Sequence, residues 1–207
     1  MVNPEIVDYV ESTVIPLYKT FDRAHGEEHV RTVIRDSLEL ADFCQADASM
    51  AYVVAAYHDA GMPEGRETHH LTSARMLFAD RNLRKWFTEE QLQVMKEAVE
   101  DHRASSKNPP RTVYGRIVAD ADRDLTNLTP LKRTVQFGLK HYPELGREEQ
   151  YGRFCHHLQE KYAEGGYLQL WIEGSGKEKQ LKELRQVIAD PVSRREAFNV
   201  FYEKEHR

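Results

Sequence analysis

Residues 48–63, ASMAYVVAAYHDAGMP, form the most apolar stretch of the chain and end on a histidine, an aspartate and a glycine-proline stop. Val53, Val54, Ala55 and Ala56 leave little polar surface on any side, which predicts a buried central helix from Ala48 to about Ala60. Gly61 and Pro63 terminate it. His58 and Asp59 are then awkwardly placed. A buried carboxylate is costly without a partner, and a negative charge at a helix C-terminus opposes the helix dipole. A divalent cation resolves both problems, since the pair offers one neutral nitrogen and one anionic oxygen. For the dipeptide alone a purely structural role, with Asp59 capping a neighbouring helix and His58 bonded in the core, stays open.

Helical periodicity continues outward in both directions and strand-like alternation is almost absent, so the fold class is all-α. A first helix is expected over Pro4–Tyr18, with Ile6, Tyr9, Val10 and Val14 on one side. A second runs from Glu27 to Phe43 with Val30, Val33, Ile34, Leu38 and Ala41 inward. A fourth covers Thr68–Ala79. Thr88 followed by Gln91 is a capping box that announces a fifth helix, running to about Arg103 with Leu92, Met95 and Val99 inward. ASSKNPPRT (104–112) is a polar loop with two prolines. Helix resumes at Val113 and carries Asp120, Asp122 and Asp124. Further helices follow from Pro130 to His141 and from Arg147 to Glu164, then a Gly165-Gly166 break and a final pair divided at Pro191. The expected organisation is a core over 1–128 and a helical extension over 129–207 packed as part of the same unit.

The 207 residues suffice to bury a core, and 40% hydrophobic with 30% charged residues is the composition of a globular protein. No apolar run approaches the roughly 20 residues of a membrane span, and the N-terminus lacks the basic and apolar segments of a secretory signal, so a cytoplasmic location is expected. Cys44 and Cys155 stand in no metal or disulfide spacing. A net charge of -5 argues against gripping extended nucleic acid, although a local basic pocket for one small phosphate ester is compatible with it.

Other helices also turn histidines inward. His29 lies one turn before Val33 at the edge of its helix's apolar stripe, and His102 continues the stripe of Leu92, Met95 and Val99. Together with His58, Asp59 and an aspartate of DADRD (120–124) they are a set from which a bundle can build a metal site. On an ideal helix Asp120 and Asp122 diverge by about 160°, so only one of them should face the metal.

The order of HVRTVI (29–34), AAYHDAG (55–61), HHLTSARML (69–77), EDHRAS (100–105) and IVADADRD (117–124) resembles the HD superfamily of metal-dependent phosphohydrolases over roughly residues 22–128. The resemblance implies an HD-domain helical bundle in which His29, His58, Asp59 and one aspartate of DADRD bind metal. The family's Ala-Asp-Arg pattern falls on Asp122. The commoner Asp-Ala-Asp-Arg-Leu-Asp is altered here, with Asp124 before Leu125, and this keeps Asp120 in play. His69 and His102 match stations that carry extra histidines in two-metal members, so a centre of one or two divalent ions is implied, with the identity open among Mn, Fe, Co, Ni, Zn and Mg. In a single-metal enzyme the same two histidines would touch substrate or water. His70 competes with His69 for the inward place, and His25 reads as a surface or supporting residue.

The activity implied is hydrolysis of a nucleotide or other small phosphate ester, with His58 and Asp59 at its catalytic heart. A bound cation acidifies water and polarises a phosphoryl oxygen. Arg103, Lys107, Arg111 and Arg123 are the candidate partners of the phosphate. Two other readings stand beside it: a di-iron oxygenase of the same fold, and a ligand-binding HD domain without turnover. Oligomeric state is not legible. The purified protein should contain at least one divalent transition metal per chain, measured by elemental analysis. Metal-free protein from a metal-replete preparation, with His58→Ala as stable as wild type, would refute this.

Overall fold

The computed structural model describes residues 1–21, 25–104 and 108–205, and among them ten α-helices and no strand. None of these helices is long and apolar enough to cross a membrane. The chain divides into two compact units, residues 1–123 with 170–175, and residues 124–169 with 176–207.

The first unit holds α1 (Pro4–Thr13), α2 (Glu27–Phe43), α3 (Ala48–Tyr57), α4 (His69–Ala79), α5 (Glu89–Asp101) and α6 (Val113–Ala121). The expected helix over Pro4–Tyr18 ends at Thr13 and tightens into a 3-10 segment over Ile15–Thr20. Pro16 explains the break, because its ring removes a donor and crowds the preceding turn. Asn3 accepts a hydrogen bond from the Glu5 amide, and Pro4 occupies the first helical position, where a missing N–H costs nothing. α2 begins on Glu27 and Glu28, whose charges suit a helix N-terminus, and it buries Val30, Val33, Ile34, Leu40 and Ala41. Leu38, expected on this face, is only partly buried.

α3 is the centre of the unit. Asp47 caps it by accepting from the amides of Ser49 and Met50, and every residue from Met50 to Tyr57 is buried. It stops three residues short of the expected Ala60, so His58 is its C-cap and Asp59 lies beyond it. α2, α4, α5, α6 and α1 pack around it. The capping box of α5 is formed: Gln91 Oε1 accepts from the Thr88 amide at 2.9 Å, and Thr88 Oγ1 accepts from the Gln91 amide at 3.3 Å. The two cysteines are free thiols of intermediate exposure.

The second unit holds α7 (Thr129–His141), α8 (Arg147–Lys161), α9 (Gly176–Ala189) and α10 (Pro191–Glu205). Leu131, Val135, Phe154, Leu158 and Phe198 are buried, and Phe198 packs its ring on Tyr151, Phe154 and Tyr202.

Two glycines test how closely the helices fit. A Cβ on Gly61 would lie 2.6 Å from the Ser73 amide nitrogen and 2.7 Å from the His69 carbonyl oxygen, both backbone atoms that cannot swing aside. A Cβ on Gly152, exposed within α8, would meet nothing within 4 Å. Gly61→Ala should therefore lose about 1–3 kcal/mol of stability, whereas Gly152→Ala should gain about 0.5–1 kcal/mol by restricting the unfolded chain. Denaturant unfolding of both variants checks the two signs.

Candidate metal centre

Where α3 ends, the chain turns through His58–Gly61 and is held from two sides. The buried Tyr18 hydroxyl donates to the Ala56 carbonyl at 2.8 Å and accepts from the Asp59 amide at 3.3 Å. On the other side the Gly61 amide donates to Ser73 Oγ of α4 at 2.8 Å. The absence of a side chain at Gly61 lets α4 approach this turn, and it carries His69 toward Asp59.

Six side chains meet there. Around Asp59 Oδ2 stand His58 Nε2 at 3.3 Å and His29 Nε2 at 3.8 Å. The two imidazole nitrogens are 3.3 Å apart, and Asp122 Oδ1 lies 3.2 Å from His29 Nε2 and 3.8 Å from His58 Nε2. Around the other oxygen, Asp59 Oδ1, stand His69 Nε2 at 3.1 Å and His102 Nε2 at 3.6 Å, themselves 3.2 Å apart. Donors held about 2.1 Å from one cation are separated by roughly 3.0 Å at right angles and roughly 3.4 Å at tetrahedral angles. Most of the observed separations are close to these, and the donors form two groups that could each hold an ion, His29 with His58 and Asp59, and His69 with His102 and Asp59.

The imidazoles are oriented from behind. His58 Nδ1 bonds the Ala55 carbonyl at 2.7 Å, His102 Nδ1 the Val99 carbonyl at 2.7 Å and His69 Nδ1 the Arg66 carbonyl at 2.8 Å. A carbonyl can only accept, so each Nδ1 carries a proton and each Nε2 is left facing the centre, where it would offer its lone pair to a bound cation. Asp122, the C-cap of α6, is the most open of the six, with 23% of its side chain exposed, while His29, His58, Asp59, His69 and His102 are buried.

The charges are unbalanced without a cation. Burial alone would lower the His58 imidazolium, but the adjacent Asp59 and Asp122 outweigh it and hold it up at about 9. Burial would raise both carboxyls, yet Asp59 is held well below the usual range by His58 with hydrogen bonds from His102 and His69. Asp122 is lowered likewise by its bond to His29, with Arg123 and His58 assisting. The centre thus attracts positive charge, and a proton on His58 takes the place that a cation would claim.

The remaining expected residues are placed differently. Asp120 is fully buried and turned away, its carboxylate accepting from the amides of Trp171 at 3.0 Å and Ile172 at 2.9 Å. Asp122 is therefore the aspartate of DADRD that faces the histidines. His69, not His70, is brought in; the His70 ring stands against His69 with centroids 5.7 Å apart. The His25 ring stands edge-on to the His29 ring, at 6.2 Å between centroids. Arg103 donates to the Glu67 carbonyl at 2.7 Å, and Arg111 is engaged by Asp101 at 2.8 Å and Glu100 at 2.6 Å. Arg123 is buried and donates to Asp122 and to the His102 carbonyl. Lys107 lies outside the described residues. Tyr18, Ser73 and the clamp made by Asp120 had no signal in the sequence, because each acts on a backbone group far away in the chain.

Cation binding should release the His58 proton, so affinity should rise with pH, approaching tenfold per unit between pH 7 and 9 and levelling above about 9. In cation-free protein the sign reverses for stability. The raised His58 favours folding below pH 6.5 and loses this contribution as pH rises through about 9. Calorimetric metal titrations across this range measure the first effect, and a pH-independent affinity would contradict the protonated His58.

Residues 26–127 match the family described as HD domain. Among curated proteins none matches the chain. The crystal structure of a predicted HD superfamily hydrolase from an uncultured Thermotogales bacterium is similar, with a TM-score of 0.59 and 20% identity over 94% of this chain and 91% of that one. That likeness shows a shared fold. All six donors lie within the matched segment, and residues 26–127 are the part of the chain that the HD domain family covers.

Proposed function

We propose that this protein is a metal-dependent phosphohydrolase whose centre would hold two divalent ions, with Asp59 serving both, and that it acts on a nucleotide or other small phosphate ester. The observation that carries the reading is the division of Asp59, whose Oδ2 faces His29 and His58 while Oδ1 faces His69 and His102. A carboxylate serving one ion has no need of two separate sets of imidazoles. The Thermotogales protein of the same fold is described as a predicted hydrolase, which agrees with it.

Charge favours a phosphate as the substrate. The four imidazoles are neutral as ligands, so Asp59 and Asp122 contribute the formal charge of the donor set. One divalent cation would cancel it, whereas two leave a surplus matched to a phosphate monoester dianion. Bound there, the ions would acidify water and polarise the phosphoryl oxygen, as in two-metal sites generally.

The protein's own part is orientation. Carbonyls of Ala55, Arg66 and Val99 aim three rings with Nε2 toward the centre, and Tyr18 fixes the Asp59 backbone. Asp122 is the most exposed of the donors, so the substrate would enter from its side. Arg103 donates to the Glu67 carbonyl in the turn before α4 and, by exchanging that partner for a phosphate oxygen, would supply a cation to the substrate.

Metal content should be near two per chain and fall toward one in His69→Ala and in His102→Ala. Asp59→Asn keeps the shape but removes the bridging charge. Because loss of groups merely supporting a ligand costs about 10–100-fold, phosphate release should drop by more than about 100-fold with circular dichroism unchanged. Turnover like wild type in this variant would remove Asp59 from the centre. Two irons with substrate-dependent oxygen uptake, and no phosphate release on a nucleotide and phosphomonoester panel, would replace hydrolysis by oxygenation.

A further inference from the structure

Arg123 sits beside the centre with only 7% of its surface exposed. A buried guanidinium is costly unless acceptors match its donors. Nη1 donates to Asp122 Oδ2 at 3.0 Å, and Nη2 donates to the His102 carbonyl oxygen at 3.3 Å. Each acceptor belongs to a donor of a different ion position. Asp122 turns its other oxygen to His29 and His58, and the His102 ring faces His69 and the far oxygen of Asp59.

We propose that Arg123 is a positioning residue that couples the two ion positions, not a substrate-binding cation. It holds Asp122 by the oxygen turned away from the histidines, leaving Oδ1 as a single-point donor. It also holds the end of α5 that supplies His102. The guanidinium is planar and its donors form a rigid fork, so these two acceptors are kept at one separation. Reaching a substrate would require Arg123 to abandon both acceptors. Arg123 stands immediately after Asp122, beyond the end of α6 at Ala121, and from there its side chain reaches both groups. The proposal rests on the two-ion reading of the centre.

The test is a calorimetric titration of Mn²⁺ alone into chelator-treated full-length protein, with no substrate present. Arg123→Met should weaken both positions by about tenfold or more while leaving the circular dichroism unchanged, because it removes support from both donors. Asp122→Asn and His102→Ala are the references and should each weaken mainly one position. Arg123→Lys keeps the charge and a single flexible donor, so it should recover the position next to Asp122 and leave the other weak. Affinities within twofold of wild type in Arg123→Met, with only KM for a phosphate ester raised, would make Arg123 a substrate contact and overturn the proposal. Loss confined to one position would overturn the coupling. If Arg123→Met fails to fold, Arg123→Lys decides: an unequal loss supports the proposal, and two unchanged affinities refute it. Uptake of a single ion by wild type refutes it too. Two ions bound without phosphate release would refute the hydrolase reading and leave the role of Arg123 standing.

Discussion

The structure of the first unit depends on a single constraint, the burial of the Asp59 carboxylate. A charge removed from water must be met by partners on every lone pair or it destabilises the fold. Here each oxygen is met by a pair of imidazole nitrogens, and these come from α2, α3, α4 and α5. Four helices must therefore converge on one point beyond the end of α3. The Tyr18 hydroxyl and the close approach at Gly61 hold that point in place.

All of the donors lie at or next to helix ends. His29 is in the first turn of α2 and His69 opens α4; His58, His102 and Asp122 are the C-caps of α3, α5 and α6. Helix C-termini leave carbonyls without intrahelical partners. His58 and His102 each turn back onto the carbonyl three residues earlier, so one bond both satisfies the helix end and selects the ring tautomer that can bind metal. Three C-termini also bring the negative ends of their dipoles toward the centre, adding to the field that favours cations. The energetic cost of ending the helices is thus offset by the interactions that create the site.

The same economy appears in DADRD. Asp120 in the last turn of α6, Asp122 at its C-cap and Arg123 just beyond have separate tasks because the helix rotates about 100° per residue and then ends. Asp120 faces the amides of Trp171 and Ile172, Asp122 faces the histidines, and Arg123 bridges back to Asp122 and the end of α5. A carboxylate accepting backbone amides is satisfied without a metal, which separates the two aspartates on physical grounds.

The sequence by itself determined the helical class, the central position of α3 and the limits of α2, since uniform apolarity, stripes of period 3.6 and capping residues are local signals. It also singled out His29, His58, Asp59 and His102, because polar groups on apolar helices must find partners, whereas His69 entered through the resemblance to two-metal HD proteins. Only the tertiary structure decided between Asp120 and Asp122 and between His69 and His70, as neighbours in sequence differ by a rotation whose zero is set by packing. It alone gave Arg111 to Glu100 and Asp101 and Arg123 to Asp122 and His102. The pairing of a long cation is a contest among acceptors brought together by folding, and a linear chain does not state who competes.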